Sequence, residues 1–246
     1  MQYFMDTTET VPTGVGFASF GTLHLTWLGL FLIITVGCII WYRKLANQGR
    51  RIWRIIVAVL LLADEAFKVV MLVAGGRYLP SYLPLHLCSV NIFVIAYHAF
   101  KPSKLVGGYL YTVAIPGAIA ALLFPTWTSL PLGNFMHLHS FTVHILLALY
   151  PITLAAAGEL APETKKIPQY LLPLFLMAIP IWFVNLALDT NFMFLMSADP
   201  GNPLYLSEQL LGNHLYGFPV LIAAVLIVMY VPLVILRKLK NRFTIQ

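Results

Sequence analysis

The sequence has few charged residues. Only 10% of its 246 residues are Asp, Glu, Lys or Arg, whereas 60% are hydrophobic, and the mean hydropathy is +0.84. A soluble domain usually carries about 25% charged residues, so this chain has too little polar surface to cover a particle in water. The composition excludes an ordinary soluble domain and predicts that lipid is the solvent for much of the molecule.

Several motifs are also missing from the sequence. It contains no glycine-rich phosphate loop, no nucleic-acid motif and no His-Glu-x-x-His metal signature. The formal net charge of +6 comes from short basic clusters between apolar runs, which is typical of membrane topology signals. We therefore predict no nucleic-acid partner, no cofactor and no bound metal. The amino terminus lacks the basic start of a signal peptide. The first apolar run is therefore expected to remain in the mature protein and to cross the membrane.

Apolar runs long enough to cross a bilayer recur along the whole chain. A helix needs about 20 apolar residues to cross the hydrocarbon core. On that basis the sequence predicts an all-α bundle of seven transmembrane helices in a single domain, residues 1–246. The predicted spans are 20–42, 52–74, 84–100, 105–124, 135–157, 168–188 and 214–236. The third span is short, and the second contains three charged residues.

The basic residues predict the orientation of the chain. Thirteen of the 15 Lys and Arg residues follow the first, third, fifth and seventh spans. Cytoplasmic loops carry such an excess of positive charge. The sequence therefore predicts a multi-pass protein of the bacterial cytoplasmic membrane, with the N-terminus outside and the C-terminus in the cytoplasm. Its oligomeric state is left open.

The second span carries Asp64, Glu65 and Lys68. The lysine is four residues from Asp64 and three from Glu65, so either acid can pair with it on one helix face. Charges inside a membrane usually face the protein interior. Two interpretations remain open, a self-neutralising pair that holds helices together and a polar cavity in the outer half of the membrane.

Cys88 is predicted to be a free thiol. Cys38 lies near the cytoplasmic end of the first span and Cys88 near the outer end of the third, a depth difference on the order of 15 Å at a rise of 1.5 Å per residue. No disulfide can join them. His86 lies about 200° around the helix from Cys88, so a base for this thiol must come from another helix. Cys88 is either a nucleophile or a small apolar core residue.

The fifth span offers candidate bases. His137, Ser140 and His144 share one helix face, whereas His139 points roughly the opposite way. At least one of these faces meets the bundle interior, and periodicity does not say which. Cys88 and His139 both lie about one turn inside their helix ends, so the two can share a depth in the membrane.

Several stretches resemble the YwaF-type family of bacterial integral membrane proteins. They are Leu83-Pro84-Leu85-His86-Leu87-Cys88, His139 after Asn134-Phe135, and Thr190-Asn191-Phe192-Met193-Phe194-Leu195 with Leu211-Gly212 downstream. The similarity runs from about residue 60 to 220. Two positions depart from the family pattern, because Phe135 replaces the usual Tyr and Ser89 replaces an Asp that often follows the cysteine.

This family is distantly similar to eukaryotic transmembrane acyltransferases of the ether-phospholipid pathway and to androgen-induced membrane hydrolases of lipid esters. The resemblance implies that Cys88 accepts the acyl group and that His139 is the general base. Asn191, or main-chain N–H groups near a helix start, would stabilise the oxyanion. The predicted polar cavity around this pair contains His86, Asn91, Asp64, Glu65, Lys68, His137, His144 and Asn191.

Three functions remain open at this level. The first is a membrane-embedded lipid acyltransferase or lipid-ester hydrolase, whose apolar outer loop at 189–213 would gate access of lipid. The second is a small transporter or solute-binding membrane protein with its site at the second-span charges. The third is a structural or partner-binding subunit. The expected ligands are accordingly a membrane lipid or a small solute.

Overall fold

The computed structural model describes the backbone of residues 2–243 and the side chains of residues 2–238. The all-α prediction is confirmed over this part of the chain, which contains helices and no strand. The α-helices are α1 (Thr22–Lys44), α2 (Asn47–Ala74), α3 (Leu87–Phe100), α4 (Lys104–Tyr109), α5 (Ile115–Leu123), α6 (Phe135–Ala156), α7 (Ile167–Leu188), α8 (Pro203–Leu211) and α9 (Gly217–Phe243).

Six helical segments of the described chain are long and apolar enough to cross a membrane. They are Thr22–Lys44, Pro80–Phe100, Lys104–Leu123, Phe135–Ala156, Thr164–Leu188 and His214–Lys238. The protein is therefore a multi-pass membrane protein. α2 covers the predicted span 52–74 and is long enough at 28 residues, but its charged residues keep it outside this set.

α6 is the central helix of the bundle. Fifteen of its 22 residues are buried, and it packs against α1, α2, α3 and α5. The main hydrophobic core surrounds it, with Leu61 of α2, Ile92 and Ile95 of α3 and Leu147 of α6 almost fully buried. A side chain on α6 therefore faces another helix in most directions, so its histidines meet protein on both of their predicted faces.

A π-helical turn, Leu110–Ala114, joins α4 to α5 and lies against α6, α7 and α3. Two tyrosines at this π-helical turn bond to different helices. The Tyr109 hydroxyl donates to Asn91 Oδ1 on α3 at 2.9 Å, and the Tyr111 hydroxyl donates to the Met229 carbonyl on α9 at 2.8 Å. Gly108 allows α7 to approach, because a Cβ there would overlap the Tyr170 ring. This segment therefore packs closely against α7.

The two ends of the bundle differ in character. At one end, Glu159 accepts hydrogen bonds from Arg50, Arg54 and Tyr42 at 3.2, 2.9 and 2.9 Å. At the other end, residues 2–20 meet the starts of α1 and α6. We call these the Glu159 end and the Asn134 end. The polar groups of interest lie toward the Asn134 end.

Candidate functional site

An imidazole lies between two carboxylates where α2 meets α6. His139 Nδ1 is 3.0 Å from Asp64 Oδ2, and His139 Nε2 is 3.9 Å from Glu65 Oε2. The angle at the 3.0 Å contact is unsuitable for a hydrogen bond. Neither His139 Nδ1 nor Asp64 Oδ2 has another hydrogen-bond partner among the described residues. Lys68 Nζ donates to Glu65 Oε1 at 2.6 Å. The lysine therefore pairs with Glu65, and Asp64 is left to the histidine.

The formal charges of this cluster do not balance. Asp64 and Glu65 carry two negative charges, and Lys68 supplies one positive charge. The Glu65, Lys68 and His139 side chains are at most 9% exposed, so an unbalanced charge is unfavourable here. A proton added to His139 would bring the formal sum to zero.

Cys88 lies beside the same cluster on α3, which packs against both α2 and α6. Its thiol is free and partly buried. His86 is the N-cap of α3. Cys88, the Glu65–Lys68 pair and His139 therefore lie on three mutually packed helices, α3, α2 and α6.

Main-chain donors lie next to the thiol. Cys88 is the second residue of α3, and the His86 side chain does not cap the helix. The first backbone hydrogen bond at this helix start is from Val90 N to the His86 carbonyl. Over the described residues, the N–H groups of Leu87, Cys88 and Ser89 make no backbone hydrogen bond. N–H groups at a helix start can bind an anion.

Asp64 and His139 line a pocket of about 170 Å³ between α2 and α6. The other lining residues are Phe4, Phe67, Phe135, Leu138 and Thr142. Phe67 and Leu138 are 48% and 40% exposed, so the pocket opens on the side of the bundle. A cavity of roughly 150 Å³ holds a benzene molecule. The pocket thus has room for one ester group and a short part of a chain.

Residues 3–6, here called the strap, cross the Asn134 end of this pocket. On one side, Asn134 Nδ2 donates to the Tyr3 and Asp6 carbonyls, both at 2.7 Å, and Phe135 N donates to the Phe4 carbonyl at 3.1 Å. On the other side, Arg77 donates to the Met5 carbonyl at 2.8 Å and to the Asp6 carboxylate. The strap is therefore fixed to the start of α6 and to the end of α2.

Two of the predicted cavity residues have their polar groups occupied elsewhere. His137 Nδ1 donates to the Leu130 carbonyl, and its Nε2 accepts from the Trp27 indole, both at 3.0 Å. Asn91 Oδ1 accepts from Tyr109. His144 stacks on the Trp127 ring at 5.2 Å and donates to the Ser140 carbonyl at 2.6 Å, so one of its ring nitrogens is also occupied.

Asn191 does not point to the cluster. Its amide donates to the Ser197 carbonyl and hydroxyl at 3.0 Å, and its oxygen accepts from Met196 N. The alternative source of oxyanion donors, main-chain N–H groups at a helix start, agrees with the geometry at Cys88. Sequence reasoning missed Asn185, which is 1% exposed and anchors the loop after α7.

That loop folds onto the start of α3. The Phe192 ring meets the His86 ring edge to face at 5.0 Å, and Met193 and Phe194 both have positive φ, at 58° and 56°. Positive φ at residues other than glycine is strained and concentrates near functional sites. Asn185 holds the strain in place: its Oδ1 accepts from Phe192 N at 2.8 Å and from the Thr190 hydroxyl at 3.0 Å, and its Nδ2 donates to the Phe192 carbonyl at 3.1 Å.

Replacing Asn185 by alanine is expected to release this loop. Three hydrogen bonds are lost and the Phe192 N–H and carbonyl are left buried without a partner, which destabilises by about 2–3 kcal/mol. Limited proteolysis at residues 190–200 should accelerate, and the thermal midpoint should fall. Thr190→Val removes only one of the three bonds and should have a smaller effect. Equal midpoints for Asn185→Ala and the unmodified protein would contradict the anchoring role.

The sequence comparisons give one family. The family model of the TMEM164 family matches residues 19–236, which include Asp64, Glu65, Lys68, Cys88 and His139. Neither the curated proteins nor the solved structures contain a match to the chain.

Proposed function

This chain belongs to the TMEM164 family of membrane proteins, and we propose that it is a lipid acyltransferase or lipid-ester hydrolase that works inside the bilayer. Cys88 is the nucleophile and His139 is the general base. The observation that carries the proposal is the contact of His139 with Asp64 in a pocket that opens sideways. Cys88 is a free thiol on α3, which packs against both α2 and α6, but it is not among the residues that line this pocket. A thiol, an imidazole and an orienting carboxylate are the groups that acyl transfer through a cysteine requires.

In this proposal α2 is the seventh membrane span. Its charges face α6 and α3 rather than lipid, as is usual for intramembrane charges. With the N-terminus outside and the C-terminus in the cytoplasm, the Asn134 end and its pocket lie near the outer leaflet of a bacterial cytoplasmic membrane. The closer assignment, to the YwaF-type proteins, rests on the Pro84-Leu85-His86-Leu87-Cys88 motif.

The reaction begins with proton transfer from the Cys88 thiol to His139. In this step the Asp64 contact at Nδ1 aligns into a hydrogen bond that orients the imidazole once the lipid is bound, and the two carboxylates stabilise the imidazolium that forms. The thiolate attacks the ester carbonyl of a lipid, and the N–H groups of Cys88 and Ser89 stabilise the oxyanion. The C–O bond breaks, the leaving alkoxide takes the proton from His139, and the acyl group remains on Cys88 as a thioester. Water or a lipid hydroxyl then accepts the acyl group.

Labelling of the thiol tests this proposal. In native membranes of a Cys38→Ser variant, an iodoacetamide probe should label Cys88, and His139→Ala should reduce the labelling rate by about 10²-fold, the loss typical of removing a general base. Cys38→Ser alone is the control and should retain lipid turnover. The absence of labelling, together with normal lipid turnover in Cys88→Ala, would overturn the assignment.

A transporter or solute-binding protein is the second candidate. The row of Asp64, His139, Glu65 and Lys68 favours it, because alternating acids and bases in a membrane can pass protons. A water-soluble solute would then raise the thermal midpoint, Glu65→Gln would abolish the rise and Cys88→Ala would keep it. A purely structural subunit has less support, since a buried imidazole without an aligned hydrogen bond contributes little to packing.

A further inference from the structure

The strap closes one of the two routes to His139. The Phe4 ring forms part of the pocket wall and lies 6.0 Å from the Phe135 ring. Met5 packs on Gly75 just after α2, so closely that a Cβ at Gly75 would overlap its methyl group. Water at the Asn134 end thus meets the strap before it meets the pocket. The side opening, between Phe67 and Leu138, faces the apolar exterior of the bundle.

We infer that the strap determines which molecule receives the acyl group, by excluding water so that a lipid hydroxyl reacts instead. This inference rests on the proposed function, because it concerns the second half of that reaction. Residues 3–6 would then determine whether the protein acts as a hydrolase or as a transferase. The acceptor class is therefore a bilayer lipid with a free hydroxyl group, which reaches the pocket through the α2–α6 opening.

The competing reactions start from the same thioester. In hydrolysis, water attacks the carbonyl carbon, the C–S bond breaks, and the products are a free carboxylic acid and the Cys88 thiol. In transfer, the hydroxyl oxygen of the lipid forms the new C–O bond, and the products are a lipid ester and the same thiol. His139 removes one proton from the attacking group in each case, and that proton returns to the sulfur. Since the steps differ only in the attacking molecule, access of water decides the product.

The strap is held rigidly enough for this role. Asn134 is fully buried, and its side chain makes four hydrogen bonds, two from its amide nitrogen to the strap and two from the Met136 and His137 N–H groups to its oxygen. Arg77 makes its contacts from the opposite side of the pocket. Both attachments must loosen for the strap to lift, so we treat Asn134 and Arg77 as its two anchors.

The variant Asn134→Asp removes the two side-chain hydrogen bonds that join α6 to the strap and leaves the main-chain bond from Phe135 N to the Phe4 carbonyl. Aspartate is as good an N-cap as asparagine, so the bonds to Met136 and His137 are kept. It has no N–H group for the Tyr3 and Asp6 carbonyls, and it places a carboxylate against them. Arg77→Gln releases the other anchor without touching α6. Tyr82→Phe is the matched control, because Tyr82 bonds Glu9 of the same segment at 3.1 Å but outside the strap.

The experiment follows a labelled acyl donor and measures the ratio of free fatty acid to acylated lipid. Loss of two hydrogen bonds shifts the opening of the strap by about tenfold or more, so this ratio should rise about tenfold in Asn134→Asp and in Arg77→Gln. Tyr82→Phe should leave it unchanged. If the thioester on Cys88 forms at a normal rate but the ratio stays constant in both anchor variants, the inference is wrong while the proposed function stands. If no thioester forms on Cys88 in the unmodified protein, the proposed function fails.

Water access can also be measured without any activity. A Thr142→Cys substitution in a Cys38→Ser, Cys88→Ser background places one thiol in the pocket. A charged methanethiosulfonate reagent should modify it slowly, and about tenfold or more faster once Asn134→Asp is added. An equal modification rate with and without the Asn134→Asp substitution would show that the strap does not exclude water from the pocket. This result would not depend on which reaction the protein catalyses.

Discussion

Replacing Asp64 by asparagine is expected to reduce the acyl-transfer rate by about 10³–10⁴-fold, the size of effect known when the carboxylate of a catalytic triad becomes an amide. The side-chain shape is kept, but the amide can donate to Nδ1 and then favours the tautomer whose Nε2 carries the proton. The loss should appear in kcat and leave KM nearly unchanged, because Asp64 acts on His139 rather than on the ester.

The matched control for this variant is Asp189→Asn, which makes the same chemical change at an exposed residue with positive φ after α7. It should retain full turnover. The measurement is single-turnover formation of the Cys88 thioester together with steady-state turnover. Asp64→Glu should recover part of the rate, since it restores a carboxylate near Nδ1. A normal kcat in Asp64→Asn would show that His139 does not depend on this carboxylate.

Replacing Lys68 by methionine is expected to have the largest effect on stability. The Glu65–Lys68 pair is nearly excluded from solvent, and removal of one partner leaves a buried charge without its counter-ion. That loss is about 3–5 kcal/mol. The Glu65–His139 contact, at 3.9 Å, is too long to replace a 2.6 Å hydrogen bond. The thermal midpoint of the purified protein in detergent measures the effect.

The double variant Glu65→Gln, Lys68→Met tests the reason for that loss. It removes both charges, so the unpaired carboxylate is absent and most of the stability should return, as is found for buried ion pairs replaced by neutral groups. A double variant as unstable as Lys68→Met would mean that the lysine acts through packing. A stable single variant would mean that Glu65 is not held as a charge.

Local periodicity was sufficient for much of the fold and for part of the site. The fourth span, predicted at 105–124, corresponds to helical residues 104–123, because a long apolar run leaves few alternatives for its bounds. The opposite directions of His137 and His139 follow from helix geometry alone and are observed. The Glu65–Lys68 pair was one of two options on one helix, and the structure selects it because Asp64 is engaged by His139.

The remaining features depend on contacts between distant parts of the chain. Nothing in the sequence around Asp64 indicates that α6 supplies its partner, since the pairing requires the relative depth of two helices. Asn191 and Asn185 are the same residue type and differ in their tertiary positions. Asn185 is buried and anchors the loop after α7. Residues 3–6 carry no periodic pattern, so their place across the pocket follows from Asn134 and Arg77, whose roles emerge only after folding.

The bond between Asn134 and the strap also sets an order of events during biosynthesis. The residues that it joins, Tyr3 and Asn134, are 131 positions apart, and at about 5–20 residues per second the ribosome needs roughly 7–26 s to add that length. Throughout this interval the first residues of the nascent chain wait without their partner. The pocket is thus completed only when α6 arrives, and a chain interrupted before α6 has Cys88 but neither His139 nor the Asn134 anchor of the strap. Residues 3–6 and the start of α6 therefore reach their final arrangement in the same late step of folding.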